Sequence, residues 1–204
     1  DGELIKRSKI FHYGSLSMTH DKNYEATQYA IQVAKDNGCL ISFDPNLRLS
    51  LWKTPEEARR RILYGMKQCD IMKISEEEVA FVSEQESLEK GVSFIRDNSD
   101  IKILFVTLGN KGSIAYYKDE KIYCRGIHQE HVVDTTGAGD TFCGAVLSRI
   151  LELGTDALTE KDIREMLLFA NAAASIVVTR KGALCSMPEP EEIRAASSLI
   201  DKVL

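Results

Sequence analysis

Two kinds of apolar pattern alternate along this chain, and they predict alternating strands and helices. Short apolar runs bounded by turn residues predict strands, as in CLISFDPN, DIMKIS and IKILFVTLG. Apolar residues at a period of about 3.6 predict helices. The stretch YEATQYAIQVAKDNG is one of these, with Tyr24, Thr27, Ile31 and Ala34 on its buried face. The run IKILFVTLG is apolar throughout, which is typical of a strand buried on both faces of a parallel sheet. The pattern therefore predicts an α/β fold.

Local signals mark where the helices of the first half begin. Thr54-Pro55-Glu56-Glu57 has the form of a capping box with proline at the first helical position, and it predicts a helix to about Gln68. The triplet Arg59-Arg60-Arg61 is predicted to be a solvated face of that helix. Glu76 is predicted to start a further helical stretch.

The second half continues the alternation with a hairpin, a strand and three helices. SIAYYKDEKIYCRG predicts a hairpin that turns at Lys118 to Lys121, and EHVVD predicts a final strand. A helix that ends at Gly154 is predicted from an apolar face of Phe142, Ala145, Val146, Ile150 and Leu153. A last helical pair is predicted over Lys161 to Val178 and Pro190 to Val203.

Composition narrows the class of protein. A chain of 204 residues that is 44% hydrophobic suits one domain or at most two small ones. A net charge of −5 disfavours nucleic acid as a partner, and no apolar run has the length of a membrane helix. Five cysteines without a Cys-x-x-Cys pair indicate buried reduced thiols in a cytoplasmic protein. The first residue, Asp1, lies in a polar, helix-like stretch, so we expect the chain to be a fragment.

The run VVDTTGAGDTF joins a predicted strand to a predicted helix, and it carries the candidate chemistry. The first N–H groups of a helix have no partner within the helix, and the helix dipole adds partial positive charge there. Gly137, Ala138 and Gly139 could therefore form an anion hole. An acid at this point makes sense if Asp140 accepts a proton from a hydroxyl that attacks phosphorus.

Four other interpretations of this region and the segment before it differ in how well the residues fit them. A Walker A loop needs a lysine that is absent, and a dinucleotide fingerprint needs glycine where Phe142 stands. A glycine-rich turn in which Asp140 is a simple helix cap remains open on physical grounds alone. His128 and His131 are three residues apart, but no cysteine or carboxylate cluster supports a metal site there, and they fit an exposed strand edge.

The run DTTGAGDTF is similar to the second signature of the PfkB, or ribokinase-like, family of carbohydrate kinases. The resemblance implies a three-layer α/β/α ribokinase-like sandwich with a mostly parallel central sheet. It implies that Asp140 is the general base on a sugar hydroxyl, and that Gly137 to Gly139 hold charge on the transferred phosphoryl group. Asp134 and Thr136 resemble the family's monovalent-cation ligands, so potassium is an expected cofactor.

Other stretches resemble the same family in the expected order. VTLGNKG resembles the nucleotide-binding strand and loop, which implies an ATP site lined by Thr107, Gly109 and Gly112, together with Gly139. In FANAAASIVVTRKGALCSMP, Asn171 matches the position that touches adenine. The remaining cation-loop positions, largely backbone carbonyls, match Val177, Arg180, Gly182 and Ser186. KISEEE resembles an Asn-x-x-Glu motif in which Glu78 would arrange magnesium and its waters, with Ser75 replacing the usual asparagine.

The stretch SFDPNLRLSLW is close to the run typical of fructokinases, which implies D-fructose as the sugar. Arg48 would clamp a phosphate, because guanidinium binds phosphate oxygens bidentately; a surface arginine is the alternative. Kinases of 2-keto-3-deoxygluconate carry a related run and are the nearest rivals. Another sugar or nucleoside kinase of the family, or a relative that binds nucleotide without catalysis, is the further alternative.

The resemblance covers residues 1–204 and implies the C-terminal, ATP-binding and catalytic part of a larger domain. The lid and the glycine-rich sugar-binding motif are expected outside this chain, so the chain alone is expected to be inactive. The expected partners are a small-molecule sugar and ATP, with neither nucleic acid nor membrane. A homodimer of the full-length protein is an open expectation. In the chain alone, sheet strands left without neighbours would expose an edge, which favours self-association.

Overall fold

The computed structural model describes residues 2–200, except for the side chains of 198–200. Its chain forms two compact units, Asp1–Val106 and Thr107–Leu204. Residues up to Val106 form the first unit, and the residues from Thr107 onward form the second unit.

The first unit alternates helices and strands along the chain. Its elements are α1 (Gly2–Lys6), β1 (Ile10–Gly14), α2 (Asp21–Asp36), β2 (Leu40–Asp44), α3 (Pro55–Met66), β3 (Ile71–Ser75), α4 (Glu76–Ser83), α5 (Leu88–Asp97) and β4 (Ile103–Thr107). The first three strands pair in parallel, with Gly14 beside Asp44 and Ser42 beside Ile71. The carboxyl ends of β1 and β2 therefore meet at one edge, where ligand sites of parallel sheets form. The predicted α/β class and parallel pairing are confirmed.

Helix boundaries in the first unit follow the predicted signals. Thr54 accepts a hydrogen bond from the N–H of Glu57, and Pro55 is the first helical residue of α3. Ser75 and Glu78 form a complete capping box at the start of α4. The helix predicted to begin at Glu76 does begin there, and a separate helix, α5, follows it with Ser87 as its cap.

The prediction that Arg59, Arg60 and Arg61 form a solvated face of α3 is wrong at Arg61. Arg61 is only 5% exposed, and its guanidinium donates to the Met18 carbonyl and to the carboxylates of Asp21 and Glu57. It also lies over the ring of Tyr24, 4.7 Å from the centroid. A buried charge needs such partners, and all of them except Glu57 come from a segment distant in sequence, so the local triplet could not predict the burial.

The second unit has a hairpin and three helices. They are β5 (Gly112–Tyr117), β6 (Glu120–Arg125), α6 (Ala138–Leu153), α7 (Glu160–Val177) and α8 (Pro190–Ile200). The two strands pair antiparallel from Gly112 beside Arg125 to Tyr117 beside Glu120, as predicted. Helix α7 packs against α6, α8 and both strands. The predicted end of the last helix, 201–203, lies outside the described residues.

Two predictions for the second unit need correction. EHVVD is not a strand: Val132 and Val133 are more than half exposed, and the N–H groups of Val133 and Asp134 donate to the Val178 carbonyl at the end of α7. A helix end has carbonyls without partners, and this segment satisfies one of them instead of pairing with a strand. Of the five cysteines expected to be buried, Cys185 is exposed.

Candidate active site

The glycine-rich loop enters α6 as the sequence predicts. Gly137 is the N-cap, with φ of 84°, and its carbonyl accepts the first helical bond from Thr141 N–H at 2.8 Å. Residues other than glycine rarely adopt this left-handed backbone conformation. Asp140 lies in the first helical turn and is exposed. The loop therefore places helical N–H groups and an accessible carboxylate within three residues of each other.

A cavity of about 380 Å³ in the second unit collects most of the residues predicted to bind nucleotide. The predicted residues on its wall are Thr107, Gly109, Gly112, Ala138, Gly139 and Asn171. Residues that the sequence analysis did not assign to the nucleotide site also line it, among them Ile127, His128, Val132, Phe142 and Val178. The exposed surface of the lining is mostly apolar, and polar side chains such as Asn110 and Gln129 also border it, which suits a flat aromatic base with polar edges.

His128 was interpreted as part of an exposed strand edge, and its position on the cavity wall was missed. A signal existed in the sequence, since His128 and Val132 lie just before the glycine-rich loop. That loop and the segment leading into it border one space, although the segment is irregular rather than a strand.

Asn171 reaches the cavity wall from α7, but its amide is engaged with the hairpin. Its Oδ1 accepts from Ser113 Oγ at 2.9 Å, and its Nδ2 donates to the carbonyls of Cys124 and Arg125 at 3.2 and 3.3 Å. The residue is 7% exposed. Asn171 therefore fixes α7 against β5 and β6 and so sets the shape of the wall it lines.

Two glycines of the cavity wall differ sharply in what a side chain would meet. A Cβ on Gly112 would lie 2.2 Å from the Cys124 carbonyl oxygen and 2.4 Å from the Gly126 nitrogen. A Cβ on Gly109 would meet nothing within 4 Å, although its φ of 59° is also left-handed. Of these two glycines, Gly112 is the one at which close backbone packing forbids a methyl group.

We expect Gly112→Ala to destabilise the protein by roughly 3 kcal/mol, because backbone atoms of β6 would have to move. Gly109→Ala should cost only about 1–2 kcal/mol, the penalty for a left-handed residue other than glycine. Urea unfolding of both variants measures the difference. Equal losses of stability would contradict the packing argument.

Two of the residues predicted to hold the cation, Thr136 and Gly182, bond to the Asp134 carboxylate. One carboxylate oxygen of Asp134 accepts from Thr136 N–H at 2.9 Å, and the other accepts from Gly182 N–H at 3.4 Å. Hydrogen bonds from Thr136 and then from Gly182 lower the pKa of Asp134. A Cβ on Gly137 would lie 3.6 Å from the Cα of Ala183, so this loop borders the glycine-rich turn. The ionised carboxylate suits a cation ligand.

The other members of that set hold the loop together. Ser186 is buried, and its hydroxyl donates to the carbonyls of Gly182 and Ala183, both at 2.7 Å. The Arg180 side chain pairs with Glu192 and reaches the Ser186 carbonyl at 3.4 Å. The buried Val177 accepts from the Arg180 N–H at 3.0 Å. These contacts order the loop from Val177 to Ser186. The ionised carboxylate of the proposed cation site comes from Asp134, outside that loop.

In the first unit, Ser75 and Glu78 are joined by the capping box. Ser75 Oγ accepts from Glu78 N–H at 3.2 Å, and Glu78 Oε2 accepts from Ser75 N–H at 2.9 Å. The other oxygen, Oε1, accepts from Leu47 N–H at 2.7 Å. Each oxygen of an ionised carboxylate has about two lone pairs, so Glu78 retains acceptor capacity for magnesium-bound water.

In the part of the chain that the structure describes, no three His, Cys, Asp or Glu residues cluster as a metal site. Magnesium needs no such cluster, since one or two carboxylates and substrate phosphates commonly suffice.

Arg48 lies at the end of the turn that follows β2. Its side chain is exposed, and its Nη1 donates to the Leu47 carbonyl at 3.0 Å.

Beneath the turn, the structure reveals an ion pair that sequence reasoning missed: Lys73 Nζ lies 3.0 Å from Asp44 Oδ2. The pairing of β2 with β3 carries the signal, because Ser42 lies beside Ile71 and two residues further Asp44 comes beside Lys73.

Comparison with known proteins identifies the class of protein. The description pfkB family carbohydrate kinase matches residues 2–190, and the chain belongs to this family. It is 42% identical to fructokinase-1 of Oryza sativa subsp. japonica over 194 residues, which cover 94% of this chain and 59% of the rice protein. The chain therefore spans less than two thirds of that relative's length.

Solved structures resemble the chain over a similar share. Fructokinase from Vibrio cholerae O395, bound to fructose, ADP and calcium ion, has a TM-score of 0.84 and 31% identity, covering 92% of this chain and 60% of that one. A double mutant of the Vibrio cholerae fructokinase was solved with fructose, ADP and potassium ion. Fructokinase from Xylella fastidiosa with bound ATP has a TM-score of 0.89 and 25% identity, covering 98% of this chain and 65% of that one. The ribokinase-like fold predicted from the sequence is confirmed.

Among the described residues, no helix combines the length and apolar character needed to cross a bilayer.

Proposed function

We propose that the complete protein is an ATP-dependent sugar kinase that transfers the γ-phosphoryl group to D-fructose. The glycine-rich turn carries the proposal, because it places Ala138 and Gly139 on the wall of a mostly apolar cavity and the accessible Asp140 next to them in the first helical turn. The similarity to fructokinases supports the choice of sugar. Residues 1–204 are proposed to be the C-terminal, ATP-binding and catalytic part.

The proposed reaction needs a base and stabilisation of charge. Asp140 takes the proton from the attacking sugar hydroxyl, whose oxygen forms the new bond to the γ-phosphorus while the bond to the β-phosphate oxygen breaks. The N–H groups of the Gly137 to Gly139 turn stabilise negative charge on the transferred phosphoryl group. Thr107, Gly109, Gly112 and Asn171 shape the nucleotide cavity, and Arg48 clamps a phosphate.

Two cations are proposed as cofactors. Glu78, with Ser75 capping its helix, would hold magnesium through bound water, and that ion supplies neutralisation of the phosphate charge. Asp134 and Thr136 would hold potassium next to the anion hole, with Val177, Arg180, Gly182 and Ser186 forming the loop around it. Residence in the cytoplasm and a homodimer of the complete protein stay predictions.

A coupled assay of ADP release tests the function. The complete protein and the chain of residues 1–204 are each assayed with fructose, ribose, an aminoimidazole riboside and 2-keto-3-deoxygluconate. We expect turnover of fructose by the complete protein and none by the chain alone. Faster turnover of 2-keto-3-deoxygluconate or a riboside than of fructose would show that fructose is not the preferred substrate. ATP binding without turnover of any sugar would instead favour a non-catalytic nucleotide-binding protein.

Potassium should raise the rate of the complete protein when it replaces choline at constant ionic strength. The cation would lie beside the glycine-rich turn and order the N–H groups that receive the phosphoryl charge. Asp134→Asn should abolish most of this activation, because it removes the ionised carboxylate. Asp119→Asn makes the same change at the exposed hairpin turn and should leave activation intact. A rate that does not respond to potassium would remove Asp134 and Thr136 from the proposed site.

A further inference from the structure

A buried ion pair lies at the carboxyl end of β2, beneath the turn that leads to Arg48. Lys73 Nζ donates to both carboxylate oxygens of Asp44, at 3.2 and 3.0 Å. The two side chains are 8% and 4% exposed. Burying both charges costs desolvation free energy that their attraction does little more than offset, so such a pair is weak evidence for stability. Its place in the fold therefore calls for another role.

The Asp44 carboxylate holds the turn that follows it. Its Oδ1 accepts from Asn46 N–H at 3.1 Å, while Asn46 adopts a left-handed conformation with φ of 44°. The Pro45 carbonyl accepts from the Ser15 N–H at 3.1 Å and also from its hydroxyl. Leu47 N–H donates to Glu78 Oε1 at 2.7 Å. Every residue from Asp44 to Leu47 is thus bonded to a fixed partner, and the next residue is Arg48.

The charges around Asp44 explain why the lysine matters. Burial raises the pKa of Asp44 to about 6, the Lys73 ammonium opposes that rise, and the Glu78 carboxylate adds to it. Lys73 also contacts both oxygens and so fixes the plane of the carboxylate that holds Asn46. Without this cation, the carboxylate would be free to rotate or take up a proton, and the turn would lose its anchor.

We propose that Lys73 is a positioning residue for phosphoryl transfer. It holds the Asp44 to Leu47 turn and thereby fixes the positions of Arg48 and Glu78 relative to each other. The inference rests on the proposed function, in which Arg48 clamps a phosphate and Glu78 arranges magnesium. Lys73 touches neither substrate in this assignment and acts through the turn.

The first comparison separates positioning from stability. Lys73→Met leaves a buried carboxylate without its cation and should lower both the unfolding midpoint and kcat, the latter by about tenfold. The pair variant Asp44→Asn with Lys73→Met removes both charges and should restore the midpoint to near the parent value. Its kcat should stay about tenfold low, because the neutral amide is no longer oriented by an ammonium. Recovery of kcat together with the midpoint would overturn the proposal.

Arg61→Met is the matched control. It removes another buried cation of the first unit, one that bonds to Met18, Asp21 and Glu57 rather than to a residue of the Asp44 to Leu47 turn. At a temperature where each variant is folded by circular dichroism, Arg61→Met should keep kcat near that of the parent despite a lower midpoint. A similar loss of kcat in both variants would show a general effect of stability.

A double-mutant cycle tests whether Lys73 acts through Arg48. Arg48→Ala should lower kcat on its own, and adding the pair variant should then cost little more, since the residue being positioned is already gone. Fully additive losses would contradict action through Arg48.

Hydrogen exchange tests the positioning without any turnover. The amides of Asn46 and Leu47 should exchange faster in the pair variant than in the parent. In Arg61→Met, their exchange rates should equal those of the parent. Unchanged protection in the pair variant would overturn the proposal whatever its kcat. Faster exchange in a protein that phosphorylates no sugar would confirm the positioning role and show that the proposed function is what failed.

Discussion

Asp140→Asn in the complete protein should lower kcat by about 10²–10⁴-fold, the range typical of losing a general base. The asparagine keeps the size and one acceptor oxygen of the side chain, but it cannot take the proton from the sugar hydroxyl. Affinity for ATP should change little, because Asp140 is not proposed to hold the nucleotide. Steady-state kinetics and calorimetric titration with ATP measure the two quantities separately.

The control for Asp140 is Asp119→Asn, the same change at an exposed site of the second unit. It should leave kcat unaltered, because Asp119 lies in the turn between β5 and β6. Near-normal turnover in Asp140→Asn would return Asp140 to the alternative of a simple helix cap. A weaker affinity for ATP with unchanged kcat would place its carboxylate at the nucleotide instead.

Glu78→Gln should lower kcat by about 10–100-fold, the range for partners that orient a bound metal. It should also cost about 1–3 kcal/mol in the free energy of unfolding, because one backbone N–H of Ser75 or Leu47 would face an amide NH₂. Both oxygens of Glu78 now accept such N–H groups. Kinetics at saturating magnesium and urea unfolding test the two effects.

Glu77→Gln is the matched control for Glu78, since it makes the same change one residue away on the exposed side of α4. It should change neither kcat nor stability measurably. If Glu78→Gln lost stability but kept its kcat, Glu78 would be only a helix cap and a brace for the turn after β2.

Much of this fold was predictable because its signals are local. Helix α6 begins and ends at glycines, Gly137 and Gly154, that the sequence marks directly. The capping box of Ser75 and Glu78 lies within four residues, and the apolar run of β4 is buried as expected. EHVVD failed as a strand because two valines suggest a strand locally, while their backbone bonds to the end of α7 instead.

The sequence by itself determined the alternation of strands and helices, the glycine-rich turn with Asp140, and the family these residues indicate. Those features depend on residues a few positions apart, so periodicity and capping chemistry reveal them. Only the tertiary structure decided that Arg61 is buried, that Asn171 bonds the hairpin, and that Lys73 lies beneath the Asp44 turn. Each of these depends on partners from 29 to 58 positions away. Whether a polar side chain can be buried depends on such distant partners, which no local pattern specifies.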